Sequence, residues 1–161
     1  MELPELHQYM SHGTGVELRL FAKVVIACLL GGVIGYEREG SDKPAGLRTH
    51  MLVAMSSALL LGLGEVMVLR FPLAAGGQAV RSDPIRIMQA IIMGIGFLGA
   101  GTIFHHRGRG YIEGLTTAAS LLMAAAIGMA VVLELFVLSG LMTLAALLVL
   151  ISARVSKYSK G

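Results

Sequence analysis

Five apolar runs, each about one bilayer long, are separated along the chain by short clusters of charged and turn-forming residues. About 20 mostly apolar residues suffice for a helix to cross the hydrocarbon core. The pattern therefore predicts helices over about 18–36, 50–69, 85–104, 115–133 and 135–153. The last two form one apolar run broken only by Glu134, too long for a single span, so a tight helical hairpin with Glu134 at its tip is expected. Asp83 suits the N-cap of the third helix and Pro84 its first helical position, where a missing N–H is harmless.

Composition sharpens this picture. The 161 residues are 55% hydrophobic and 14% charged, with a mean hydropathy of +0.76, whereas about a quarter of an ordinary soluble domain is charged. The expected fold class is all-α: a polytopic membrane bundle of five transmembrane helices packed through small residues, forming one domain over 1–161. A single cysteine, Cys28, excludes an internal disulfide framework. No cleavable signal is expected, because Glu2, Glu5 and Glu17 stand where a basic region would be required. The net charge of +3 comes from basic residues at helix ends, without a clustered patch or aromatic platform, so nucleic acid is not an expected partner.

Those basic residues predict an orientation. One side of the membrane holds eight Lys and Arg, among them Arg38, Lys43, Arg48, Arg107, Arg109 and Arg154; the other holds five, including Lys23 and Arg86. The positive-inside rule then places the N-terminus outside and the C-terminus in the cytoplasm.

Small residues recur at helical spacing in three of the predicted helices. Gly31, Gly32 and Gly35 mark the first; Gly94, Gly96, Gly99 and Gly101 mark the third; Ala124 and Gly128 mark the fourth. A soluble helix loses roughly 1 kcal/mol per interior glycine, yet in lipid small residues let backbones approach closely. The expected core is therefore helices 1, 3 and 4, with 2 and 5 peripheral.

Three polar constellations interrupt the apolar pattern, and polar groups at membrane depth are candidate functional sites. Glu37 and Arg38 end helix 1 opposite Arg48, Thr49 and His50, and an ion pair between Glu37 and Arg48 is expected to lock that hairpin. Asp83, Arg86 and Gln89 lead into a stripe through Met93 and Gly96 to Ala100, spaced three and four apart and expected to point into the bundle. Thr116 and Thr117 follow Gly114 at the start of helix 4, where hydroxyls suit orphan amides. His105-His106, beside Arg107 and Arg109, lacks further ligands nearby and reads as an exposed basic loop rather than a metal site. No cofactor and no resident metal are implied.

At these constellations the chain resembles the MgtC/SapB family of bacterial inner-membrane proteins, in its YhiD-like branch. The resemblance rests on an ordered set of blocks: Gly31-Gly32-Val33-Ile34-Gly35-Tyr36-Glu37-Arg38, Ala45-Gly46-Leu47-Arg48-Thr49-His50, Asp83-Pro84 with Arg86 and Gln89, Gly94 to Gly101, and Gly114-Leu115-Thr116-Thr117 followed by Ala125-Ala126-Ile127-Gly128. The chain departs from the family pattern at Leu122, where an aromatic is common, and in the glycine-free stretch after Gly128. The resemblance implies a five-helix membrane domain with a cytoplasmic C-terminus, and larger members carry an ACT-like soluble domain after it. It also implies roles in growth at low magnesium, acid stress and survival in host phagocytes, with the ATP synthase as a partner of some members. The leading expectation is a non-enzymatic inner-membrane protein of magnesium or pH homeostasis and stress or virulence adaptation. It is expected to act by binding another membrane protein, besides lipid and a possible second copy of itself. The alternative is a Mg2+ or proton transporter or channel; an intramembrane enzyme is disfavoured because no nucleophile with a partnered base is evident.

Overall fold

A computed structural model describes the backbone of residues 3–70, 83–105 and 112–158, and side chains at 14–67, 83–103 and 112–152. Five helices follow in order: α1 (Leu3–Gly40), α2 (Leu47–Arg70), α3 (Pro84–Ala100), α4 (Leu115–Val132) and α5 (Phe136–Tyr158). Three stretches are long and apolar enough to cross a membrane, Thr14–Gly40, Leu47–Met67 and Leu115–Val132; Pro84–Ala100 and Phe136–Ser152 are shorter apolar helices. The protein is thus an all-α membrane bundle. Two short strands, β1 (Phe104–His105) and β2 (Ile112–Glu113), pair antiparallel between α3 and α4.

Helix ends follow local chemistry. Asp83 accepts the Ile85 N–H at 3.0 Å and Pro84 opens α3. α3 stops at Ala100 rather than continuing to Phe104, because the Thr102 hydroxyl takes the Gly99 carbonyl at 2.7 Å and the weakly helical Gly99-Ala100-Gly101 offers little to hold another turn. α1 begins at Leu3, well before the apolar run, since hydropathy marks what lies in lipid and not where a helix starts. The α4–α5 turn falls at Glu134, in the left-handed region at φ 62°. Lys23 of α1 closes this end: its ammonium donates to the Val132 carbonyl at 2.8 Å and pairs with Glu134 at 3.0 Å. A cation on the last carbonyls of α4 also complements the helix dipole.

The core is α1, α2 and α4, which corrects the expected grouping of helices 1, 3 and 4. α2 is central. Its Ala54 is clamped between two glycines: a Cβ on Gly31 of α1 would meet the Ala54 Cβ and His50 carbonyl oxygen at 2.7 Å, and one on Gly128 of α4 would collide with the Ala54 backbone. A Cβ on Gly35 would stand 2.7 Å from the Leu47 Cα, and one on Gly32 3.3 Å from Met51. Ala54, Ala58 and Gly62, all buried and four apart, form the small-residue stripe on α2 that marks it as a packing helix.

α3 lies at the edge. Gly99 meets Ala118 of α4, while Gly64 of α2 receives the Ile87 side chain. Gly94 and Gly96 have nothing within 4 Å of an added Cβ, and a Cβ on Gly101 would meet only carbonyls of its own chain segment. The richest glycine run is therefore not the tightest contact of the bundle. Between α2 and α3 runs a cleft of about 600 Å³, walled by Leu60, Gly64, Met67, Ile87 and Ile91. Ser57 lines it with a buried hydroxyl that has no hydrogen-bond partner among the described residues.

Candidate functional site

The end of α1 and the beginnings of α2 and α4 converge on a buried polar junction. Gly31 and Gly35 draw the backbones of α1 and α2 together, and the inward positions of the first two turns of α2 are Leu47, His50 and Ala54. His50 is fully buried. Its Nδ1 donates to the Gly46 carbonyl at 2.9 Å, and its Nε2 lies 2.9 Å from the Ser120 hydroxyl of α4. Ser120 in turn stands 2.9 Å from the Thr117 carbonyl oxygen.

Proton arithmetic shows what this chain of contacts can do. A neutral ring that donates from Nδ1 to Gly46 must accept at Nε2, so the single Ser120 proton serves either His50 or the Thr117 carbonyl. A doubly protonated ring donates at both nitrogens and frees Ser120 to donate to Thr117, so all three contacts then carry a hydrogen. Charging a ring with no exposure is costly, so the neutral ring sharing the one Ser120 proton is the resting arrangement. Ser120 and His50 also have the reach of a nucleophile and a base, a pairing the sequence reading did not find. Both are sealed, His50 at 0% and Ser120 at 5% exposure, which fits an interhelical clamp.

Glu37 and Arg38 border this junction, within electrostatic range of the His50 ring. Arg38 Nε donates to Glu37 Oε2 at 2.6 Å, with both side chains more than nine-tenths buried. Ser41 donates to the other Glu37 oxygen at 2.9 Å. The expected Glu37–Arg48 pair is not formed. Arg48 follows Leu47 by one residue, about 100° around the helix, and so is carried off the α1-facing side into an exposed position. The carboxylate that meets α2 belongs instead to Glu39, whose Oε2 accepts the Leu47 N–H at 2.8 Å, a favourable place for an anion at a helix N-terminus. Thr49 is half-buried.

The other sequence candidates lie elsewhere. Thr117 is buried and contributes through its carbonyl; Thr116 is exposed. Neither hydroxyl bonds the first amides of α4 among the described residues, where Gly114 is the N-cap at φ 96°. That glycine is required by the turn, since a Cβ would collide with Thr102. Asp83 and Arg86 form a long contact of 3.9 Å. Arg86, Gln89, Met93, Gly96 and Ala100 are all exposed, so the stripe expected to point into the bundle points out of it. Rotation decides this: α3 spends its inward face on Ile87, Ile91, Ile95 and Gly99. His106, Arg107 and Arg109 lie outside the described residues, so the basic-loop reading is not placed. Sequence reasoning passed over Ser120, Glu39 and Lys23. Ser120 was the most visible of these, a hydroxyl three residues after Thr117 in an otherwise apolar span.

Apolar helices packed through glycine and alanine, with a buried polar junction where α1, α2 and α4 converge, define a polytopic integral membrane protein. The chain belongs to the MgtC family, which it matches over residues 24–158. Among curated relatives it is 40% identical over 102 residues to Protein SapB of Bacillus subtilis (strain 168), covering 63% of this chain and 42% of that protein. It is 38% identical over 104 residues to the Putative magnesium transporter YhiD of Escherichia coli (strain K12), covering 62% and 44%. It is 43% identical over 96 residues to Protein MgtC of Brucella abortus (strain 2308), covering 59% and 34%. The similarity thus spans less than half the length of these relatives. No solved structure matches.

Proposed function

We propose that this bacterial membrane protein acts in magnesium or pH homeostasis and stress adaptation, as a non-enzymatic component that binds another membrane protein. The observation that carries this reading is the state of its carboxylates. Glu37 is committed to Arg38 and Ser41, and Glu134 pairs with Lys23 at the opposite end of the bundle. Magnesium prefers carboxylate oxygens and keeps several waters, whereas these carboxylates are held by cations within the chain and far from one another. Among the described residues no group of three His, Cys, Asp or Glu comes together. The ATP synthase, implied by the family resemblance, is the first partner to examine.

A transport reading is supported by the name of the YhiD relative. We place the N-terminus outside and the C-terminus in the cytoplasm, and treat 1–161 as one domain. Crosslinking and pull-down from native membranes at low magnesium test the leading reading: recovery of a defined membrane-protein partner, weakened by Glu37→Gln, is expected. Saturable Mg2+ entry into proteoliposomes, abolished by the same substitution, would overturn it in favour of transport.

A further inference from the structure

We infer that the outward face of α3 is a self-association surface, and that its occupant is a second copy of this chain related by a two-fold axis along the membrane normal. The face combines features that lipid alone does not explain. Gln89 is exposed on an apolar helix and has no hydrogen-bond partner among the described residues, and an unpaired amide in lipid is costly. On the same face, two turns on, Gly96 has open space beyond its Cα, and Met93 between them is 76% exposed. Interhelical contacts in membranes are built from small residues that admit a close backbone and from polar side chains that bond across.

The chemistry selects a second copy. An amide is both donor and acceptor, so two Gln89 side chains facing each other across a two-fold axis satisfy one another. Arg86 lies one turn further out on α3, and the N-cap Asp83 nearly a turn beyond it. Their own contact is long, 3.9 Å, with side chains 47% and 85% exposed. In a parallel pair, each guanidinium meets Asp83 of the second copy as well as its own. Each contact is then made twice, residue i of one copy with j of the other and j with i, as a closed isologous interface requires. This inference stands apart from the proposed function, since it concerns contact between copies and not another protein.

The test uses the full chain in membranes, with Cys28→Ala as background. Met93→Cys is expected to form a disulfide-linked pair on mild oxidation, whereas Leu148→Cys, also well exposed on α5 at 62%, stays single. Gly96→Leu in the Met93→Cys chain is expected to abolish the linked pair while leaving the monomer's thermal melt unchanged. Gln89→Leu should weaken association by about tenfold, the effect of a lost interhelical hydrogen bond in lipid, and Gln89→Asn should retain most of it. Equal crosslinking at Met93→Cys and Leu148→Cys would mean lipid covers the face. An adduct whose mass is not twice that of the chain would mean a different protein does, and either result overturns the inference, as does a pair that survives Gly96→Leu.

Discussion

Gly31→Ala is the smallest change that tests how the bundle is held. The added methyl would lie 2.7 Å from both the Ala54 Cβ and the His50 carbonyl oxygen. Carbon atoms rest at about 3.5–4.0 Å, so α2 must retreat from α1 by roughly 0.8–1.3 Å at this level. Neither opposing atom can swing aside, because one is backbone and the other is fixed to it. On its other side, the Ala54 backbone already abuts Gly128 of α4, so the retreat has no free space to enter. Overpacking of this kind costs about 1–3 kcal/mol, and the better helix propensity of alanine returns at most about 1 kcal/mol. Gly31→Ala is therefore expected to destabilise, whereas Gly96→Ala, with nothing within 4 Å, is expected to leave the monomer unchanged or slightly firmer. Reversible unfolding in mixed micelles, followed by helical circular dichroism, measures both. Equal stability of the two variants would refute the argument that α2 is clamped between glycines. A milder loss for Gly31→Ala combined with Gly128→Ala than the sum of the singles would support it, since both strain the same helix.

Further outcomes follow from other contacts. His50→Leu removes the contacts to both Gly46 and Ser120, whereas Ser120→Ala removes one proton that serves either His50 or Thr117; at about 0.5–1.5 kcal/mol per net hydrogen bond, His50→Leu should destabilise more, and the reverse order in the same unfolding assay would show that the His50–Gly46 contact contributes little. Lys23→Met takes a cation from the end of α4 and is expected to cost about 1.5–3 kcal/mol. Glu134→Gln, at a side chain 69% exposed, should cost no more than about 1 kcal/mol, and a larger loss there would make the ion pair the true closure. For orientation, an impermeant thiol reagent added to intact cells is expected to label Gly15→Cys and Glu134→Cys in a Cys28→Ala background, and Gly40→Cys only after permeabilisation; the opposite pattern inverts the topology.

Five helices in order and the Glu134 turn were legible in the chain, because a long apolar run declares itself in summed hydropathy, a property of composition along a window. The Asp83-Pro84 cap was legible for a similar reason: its partners lie within three residues. What the residues alone did not reveal was which side of each helix faces which neighbour. A soluble helix declares its inward face by carrying apolar residues on one side, but a membrane helix is apolar all round, and small residues mark a possible contact without naming the partner. The four glycines of Gly94–Gly101 thus looked like the centre of the bundle, while the subtler repeat of Ala54, Ala58 and Gly62 held it. Pairing across the junction had the same limit. Glu37 and Arg48 have opposite charges on neighbouring helices, but the approach of α1 to α2 over Gly31 and Gly35 sets the rotation of α2. That rotation brings His50 inward to Ser120, turns Arg48 outward, and leaves Glu37 to Arg38. Only the packed backbone, through a few ångströms of steric room, decides such a choice.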